Sequence, residues 1–71
     1  MTRAAFISLA LTQRRLSHGY RQWAGDDERA GRLDAYRRNT TEANRLASDA
    51  RWYLQRARMM AEPVIEERIA A

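Results

Sequence analysis

The chain has 71 residues, no cysteine and an excess of four positive charges, with a pI near 10.6. This length permits one small core at most, so residues 1–71 are read as a single helical domain. Without cysteine, neither a disulfide nor a thiolate-bound metal can supplement that core. Nineteen large apolar residues are accompanied by 13 alanines, so a compact monomer has a thin core and assembly with a second chain is expected.

All 13 basic residues are arginines. Guanidinium forks suit phosphates and carboxylates, whereas a GC-rich coding bias favours Arg and Ala with no function implied. The charge is uneven: residues 1–25 carry Arg3, Arg14, Arg15 and Arg21 and no acid, while the remainder is balanced. An acid-free, arginine-bearing amphipathic start has some likeness to a transit peptide. As a secretory signal it fails, because Ala4–Leu11 is short and Gln13-Arg14-Arg15 follows without a small-residue cleavage pattern. No stretch reaches the roughly 20 apolar residues of a membrane span, and a cytoplasmic protein of a bacterial cell or virus-infected host is expected, with no membrane partner.

In chain order, Thr2 is a usable N-cap for a first helix over about residues 3–24. Phe6, Leu9, Leu16, Tyr20 and Trp23, with Gln13 at the missing step, form a heptad seam that runs past Gly19. A break after His18 is the minor alternative. Gly25 reads as the residue closing the helix, Asp26 as the next N-cap, and Asp27 and Glu28 as first-turn acids. So short a turn makes the helices antiparallel neighbours. The second helix is expected over about residues 27–62, its seam being Leu33, Tyr36, Thr40, Ala43, Ala47, Ala50, Leu54, Ala57, Ala61 and Val64. Asn39-Thr40-Thr41-Glu42 is an internal capping pattern at which this helix could divide. Pro63 ends or kinks it, leaving a short amphipathic tail helix with Ile65 and Ile69 four apart. Glu28–Arg32 and Asp34–Arg38 are favourable helical pairs.

This all-α antiparallel hairpin has unequal arms, roughly 33 Å and 54 Å long at 1.5 Å per residue. Folded about Gly25, about 20 Å of the second helix would overhang, carrying Trp52, Tyr53, Leu54, Met59 and Met60. Leu46, Tyr53 and Met60, with Trp52 and Met59 behind them, form a second apolar face off the seam; Ala4, Ile7 and Leu11 form another on the first helix. Three fates are open to this patch: the interface of a dimer that completes a four-helix bundle, an open partner site, or cover by the tail. The candidate interface residues are Ile7, Leu11, Leu46, Trp52, Tyr53, Arg56, Met59 and Met60.

Catalytic material is scarce. His18 is the sole histidine, and Ser17 points about 100° away from it around the helix, so the two form no nucleophile–base pair. Glu62 and Glu66 lack a third ligand, capping accounts for Asp26-Asp27-Glu28, and no phosphate-binding glycine loop occurs. No enzymatic activity and no cofactor or metal is expected. Small regulators of phages and mobile elements share this profile, and the expected function is non-enzymatic binding of a larger protein, as adaptor, inhibitor or assembly component. The alternative is a nucleic-acid-binding module using Arg14, Arg15, Arg21, Arg51 and Arg58, with Trp52 and Tyr53 as stacking groups beside the arginines.

Overall fold

In a computed structural model that describes residues 1–60, the chain is an antiparallel hairpin of two helices, α1 (Arg3–Arg29) and α2 (Leu33–Met59), each 27 residues long. The hydroxyl of Thr2 accepts the amide of Ala5 at 3.1 Å, capping α1 as expected. Neither helix divides: α1 passes through Gly19, and α2 passes through Asn39–Thr41. The expected tail helix, with Ile65 and Ile69, lies outside the described residues, as do Ala61 and Val64 of the expected seam.

The turn is not where the glycine at position 25 suggested. Helix α1 continues through Gly25 and Asp26 to Arg29, and the chain reverses over Ala30–Arg32. Gly31 takes φ +75°, the left-handed conformation that glycine adopts without a Cβ penalty. The amide of Arg32 bonds the Asp27 carbonyl at 2.8 Å and that of Gly31 bonds Glu28 at 3.1 Å, the paired reversal of a Schellman ending. Asp26 is therefore no N-cap, and Asp27 serves the end of α1 instead. Its carboxylate accepts Arg32 Nε at 2.8 Å and Asn39 Nδ2 at 2.7 Å, tying the last turn of α1 to the first turns of α2. Arg32 thus pairs with Asp27 instead of Glu28, and Asp34 and Arg38 form no ion pair among the described residues. The arginine and then the asparagine hydrogen bond hold the Asp27 carboxyl below the usual carboxylate range, against the opposing effect of burial.

The seam also differs from the expected one, and the difference explains the turn. In α1 the inward residues are Phe6, Ala10, Gln13, Ser17, Tyr20, Ala24 and Asp27; in α2 they are Asn39, Ala43, Leu46, Ala50, Tyr53 and Ala57, with Met60 half-buried just past its end. Each helix is turned by roughly 50° from the expected orientation, half a residue step. Leu16 and Trp23 are exposed where Ala10, Ser17 and Ala24 are buried, and Leu54 is exposed where Leu46 is buried, while Leu9, Thr40 and Ala47 stay half-buried beside the seam. Both helices then present one row of small residues at seven-residue intervals, Ala10–Ser17–Ala24 and Ala43–Ala50–Ala57. Small rows facing each other let the backbones approach. The Ser17 hydroxyl reaches across and donates to the Ala43 carbonyl at 2.8 Å in a fully buried bond. Ser17 and Ala43 are equidistant from Ala30 in sequence, so this pairing fixes the reversal there and not at Gly25.

With equal arms the expected overhang does not exist. Phe6 lies against Tyr53 and Trp52, with ring centroids at 6.1 Å and 6.3 Å, and Trp52 meets Tyr53 edge-on at 5.3 Å. Near the other end Tyr20 and Trp23 form a second edge-on pair at 5.2 Å. The core remains thin: among the described residues its buried apolar members are Ala10, Ala24, Ala43, Leu46, Ala50 and Ala57.

Candidate functional site

Because small residues occupy the seam, most large apolar side chains lie outside it. Leu16, Trp23, Trp52 and Met59 are exposed, the last at 71%. Of the expected interface residues, Leu46 has no surface to offer, being 4% exposed inside the hairpin. Tyr53, Met60 and Ile7 are half-buried, whereas Leu11, Trp52, Arg56 and Met59 are exposed. The two apolar faces expected to converge on one patch are thus separated. Leu46 and Tyr53 belong to the internal seam, Trp52 packs on Phe6, and Leu11 stands on the opposite face of the hairpin.

On that opposite face the close approach of the helices leaves an open groove of about 270 Å³. Ala10, Ser17 and Ala50 form its floor, with Leu11, Ala47 and Leu54 on the walls. Arg14, His18 and Arg21 of α1 and Arg51 of α2 also line it, and among the described residues no acid does. The arrangement follows from register. Arg14 and Arg21 are seven apart beside the Ala10–Ser17–Ala24 row, and Arg51 holds the equivalent flank of α2, with Arg58 one heptad further on.

The acids are elsewhere. Glu42 and Asp49 flank the Leu46–Tyr53 row on the other side of the seam. Arg45 donates to Glu42 and, at 3.0 Å, to Asp49. The Arg45 guanidinium holds the Glu42 carboxyl below the usual range. Asp26 and Asp27 are spent at the turn on Arg29 and Arg32. Among the described residues, Arg14, Arg21 and Arg51 form no ion pair, so the groove has an apolar centre and an uncompensated positive rim.

The expected nucleic-acid set divides in the same way. Arg14, Arg21 and Arg51 share the groove; Arg15 is exposed and falls outside its lining. Trp52 and Tyr53 face Phe6 and are likewise absent from the groove lining, so the stacking groups are not interleaved with these cations. Arg51 and Trp52 are adjacent in sequence, but neighbours in a helix stand about 100° apart.

His18 is exposed at the groove edge, and the adjacent Ser17 hydroxyl is committed to the Ala43 carbonyl. No cluster of three or more metal-ligating side chains occurs among the described residues. No helix among them is long and apolar enough to cross a membrane. Comparison with protein-family models, curated proteins and solved structures finds no match.

Proposed function

We propose that this chain is a small non-enzymatic protein-binding module, an adaptor, inhibitor or assembly component, that works through its helix faces. The observation that carries the reading is the number of large apolar side chains outside so thin a core: Leu11, Leu16, Trp23, Trp52, Leu54 and Met59 are all more than a third exposed. Isolated exposed leucines are ordinary, but an apolar surface on both sides of a two-helix hairpin marks contact with other chains. Trp, Met and Arg are the types enriched where such contacts form. Self-association into a four-helix bundle belongs to the same reading, with Leu16, Trp23, Trp52 and Met59 as its contact residues.

Nucleic-acid binding is the second reading, favoured by the acid-free stripe of Arg14, Arg21 and Arg51. Against it, Trp52 and Tyr53 pack on Phe6 and no aromatic residue among those described lines the groove, and a net charge of four is modest. Affinity purification of the tagged full chain from its native cells, with and without nuclease, tests the two. A protein partner retained in stoichiometric amount after nuclease treatment is expected. Nucleic acid as the sole retained material, lost on digestion and with rising salt, would show the first reading to be wrong.

A further inference from the structure

We propose that the groove between Leu11 and Leu54 is a docking site for an acidic amphipathic helix of a protein partner. This rests on the protein-binding reading and specifies where the partner sits and its chemistry. Along α2 the apolar lining of the groove runs from Ala47 to Leu54, seven residue steps or roughly 10 Å, two helical turns. That length matches three apolar contacts of an incoming helix at i, i+3 or i+4, and i+7. Leu11 and Leu54 retain 49% and 37% of their surface, available to be buried by those contacts.

The rim sets the charge of the occupant. Arg14, Arg21 and Arg51 line the groove together with its apolar centre, no acid among the described residues does, and the nearby acids Glu42 and Asp49 are already held by Arg45 on the other side of the seam. Arg14 and Arg21 are two turns apart, so carboxylates at seven-residue spacing along an incoming helix meet them in register, as planar fork-to-carboxylate pairs. A basic or neutral helix would leave three cations partly desolvated without partners. Nucleic acid fits less well. Its phosphates would satisfy the arginines but would bring charge against Leu11, Ala47 and Leu54, and among the described residues no aromatic ring lines the groove for its bases to stack on.

The test uses the full chain and a designed helical peptide of about 18 residues, with leucines along one stripe and flanking glutamates. The comparison probes are the same peptide with lysine for glutamate and a single-stranded oligonucleotide. Binding is read by fluorescence anisotropy, and helicity by circular dichroism. The glutamate peptide is expected to bind, and the lysine peptide not to. Arg14→Glu with Arg51→Glu, and separately Leu11→Ser with Leu54→Ser, should each weaken binding about tenfold or more without loss of helicity. Arg15→Glu makes the same charge change outside the groove and should leave affinity within about twofold.

Failure of the glutamate peptide to bind would overturn the proposal, as would an Arg15→Glu effect equal to that of the groove arginines. So would tighter binding of the oligonucleotide that ignores Leu11→Ser and Leu54→Ser, which would identify a phosphate-binding surface. Failure of the peptide alone leaves a nuclease-resistant protein partner standing, so the groove and the wider reading fail by different observations.

Discussion

Two leucines separate this seam from the one that hydrophobic spacing suggested, because the same truncation at each should have opposite rank. Leu46 is 4% exposed between the helices, whereas Leu16 is 48% exposed on the flank of α1. Truncating an enclosed leucine to alanine costs about 2–5 kcal/mol, a transfer contribution plus an unfilled cavity. Leu16 can lose only about half of a transfer contribution of roughly 1.5–3 kcal/mol, and it leaves no enclosed void. Leu46→Ala should therefore cost at least about twice what Leu16→Ala costs. For a domain of this size, 1 kcal/mol corresponds to about 4–8 °C in Tm. The expected shifts are about 10 °C or more for Leu46→Ala and about 5 °C for Leu16→Ala. Thermal and urea unfolding followed by helical circular dichroism would measure both. Repetition at a tenfold lower protein concentration isolates the intrachain contribution, since any dimer weakens on dilution. A larger concentration-independent cost for Leu16→Ala would return Leu16 to the seam and refute the orientation of both helices described above.

Glycine substitutions test the turn by the same melting assay. Gly19 lies within α1 with open space where a Cβ would stand, so Gly19→Ala should stabilise by about 0.5–1 kcal/mol; Gly31→Ala, at φ +75°, should destabilise by about 1–2 kcal/mol. The opposite ordering would place the reversal at another site. Asp27 gives the pH signature. Its folded pKa is depressed, so the stability it contributes is present above the unfolded aspartate pKa and is lost as pH falls through the lower folded value. The difference in stability between the native chain and Asp27→Asn should therefore shrink across that acidic range. A difference that stays constant from neutral pH to strongly acidic pH would show that the Arg32 and Asn39 bonds do not hold the charged form.

The helical class, the antiparallel hairpin, the Thr2 cap and three of the inward α2 positions, Ala43, Ala50 and Ala57, were legible in the sequence. The turn was not, for a specific reason. Gly25 is followed by Asp-Asp-Glu, a strong local signal for a stop and a new start, and acids at a helix C-terminus oppose the macrodipole. Local preference lost to interhelical pairing: only a reversal around Ala30 brings Ser17 to Ala43 and the small rows into register. Asp27 then offsets its poor location through Arg32 and Asn39. In α1 the expected Phe6, Gln13 and Tyr20 do face inward, but hydrophobic spacing ranks Leu16 and Trp23 above the Ser17 and Ala24 that are buried instead. That ranking holds where helices pack through large side chains and reverses where backbones meet closely. The groove depended on the same choice, since Leu11, Arg14 and Leu54 line one surface only when Ala10, Ser17 and Ala50 form its floor.

This packing also determines which surface features call for a separate cause. A seam of small residues places positions 16 and 23 outside it but does not require leucine and tryptophan there, and their exposure is what the proposed contact with another chain accounts for. Charge placement does not follow from the seam either. The seam would be equally well formed with acids beside Ala47 or with Arg51 exchanged for Asp49, and exposed ion pairs such as Arg45–Asp49 contribute little to stability wherever they sit. Yet Glu42 and Asp49 lie on one side of the seam, while Arg14, Arg21 and Arg51 gather on the other with no acid of the described residues among them. Three like charges around an apolar groove repel one another in the free hairpin and gain only when something anionic arrives. Folding alone supplies no reason for this segregation, and the docking of an acidic helix does.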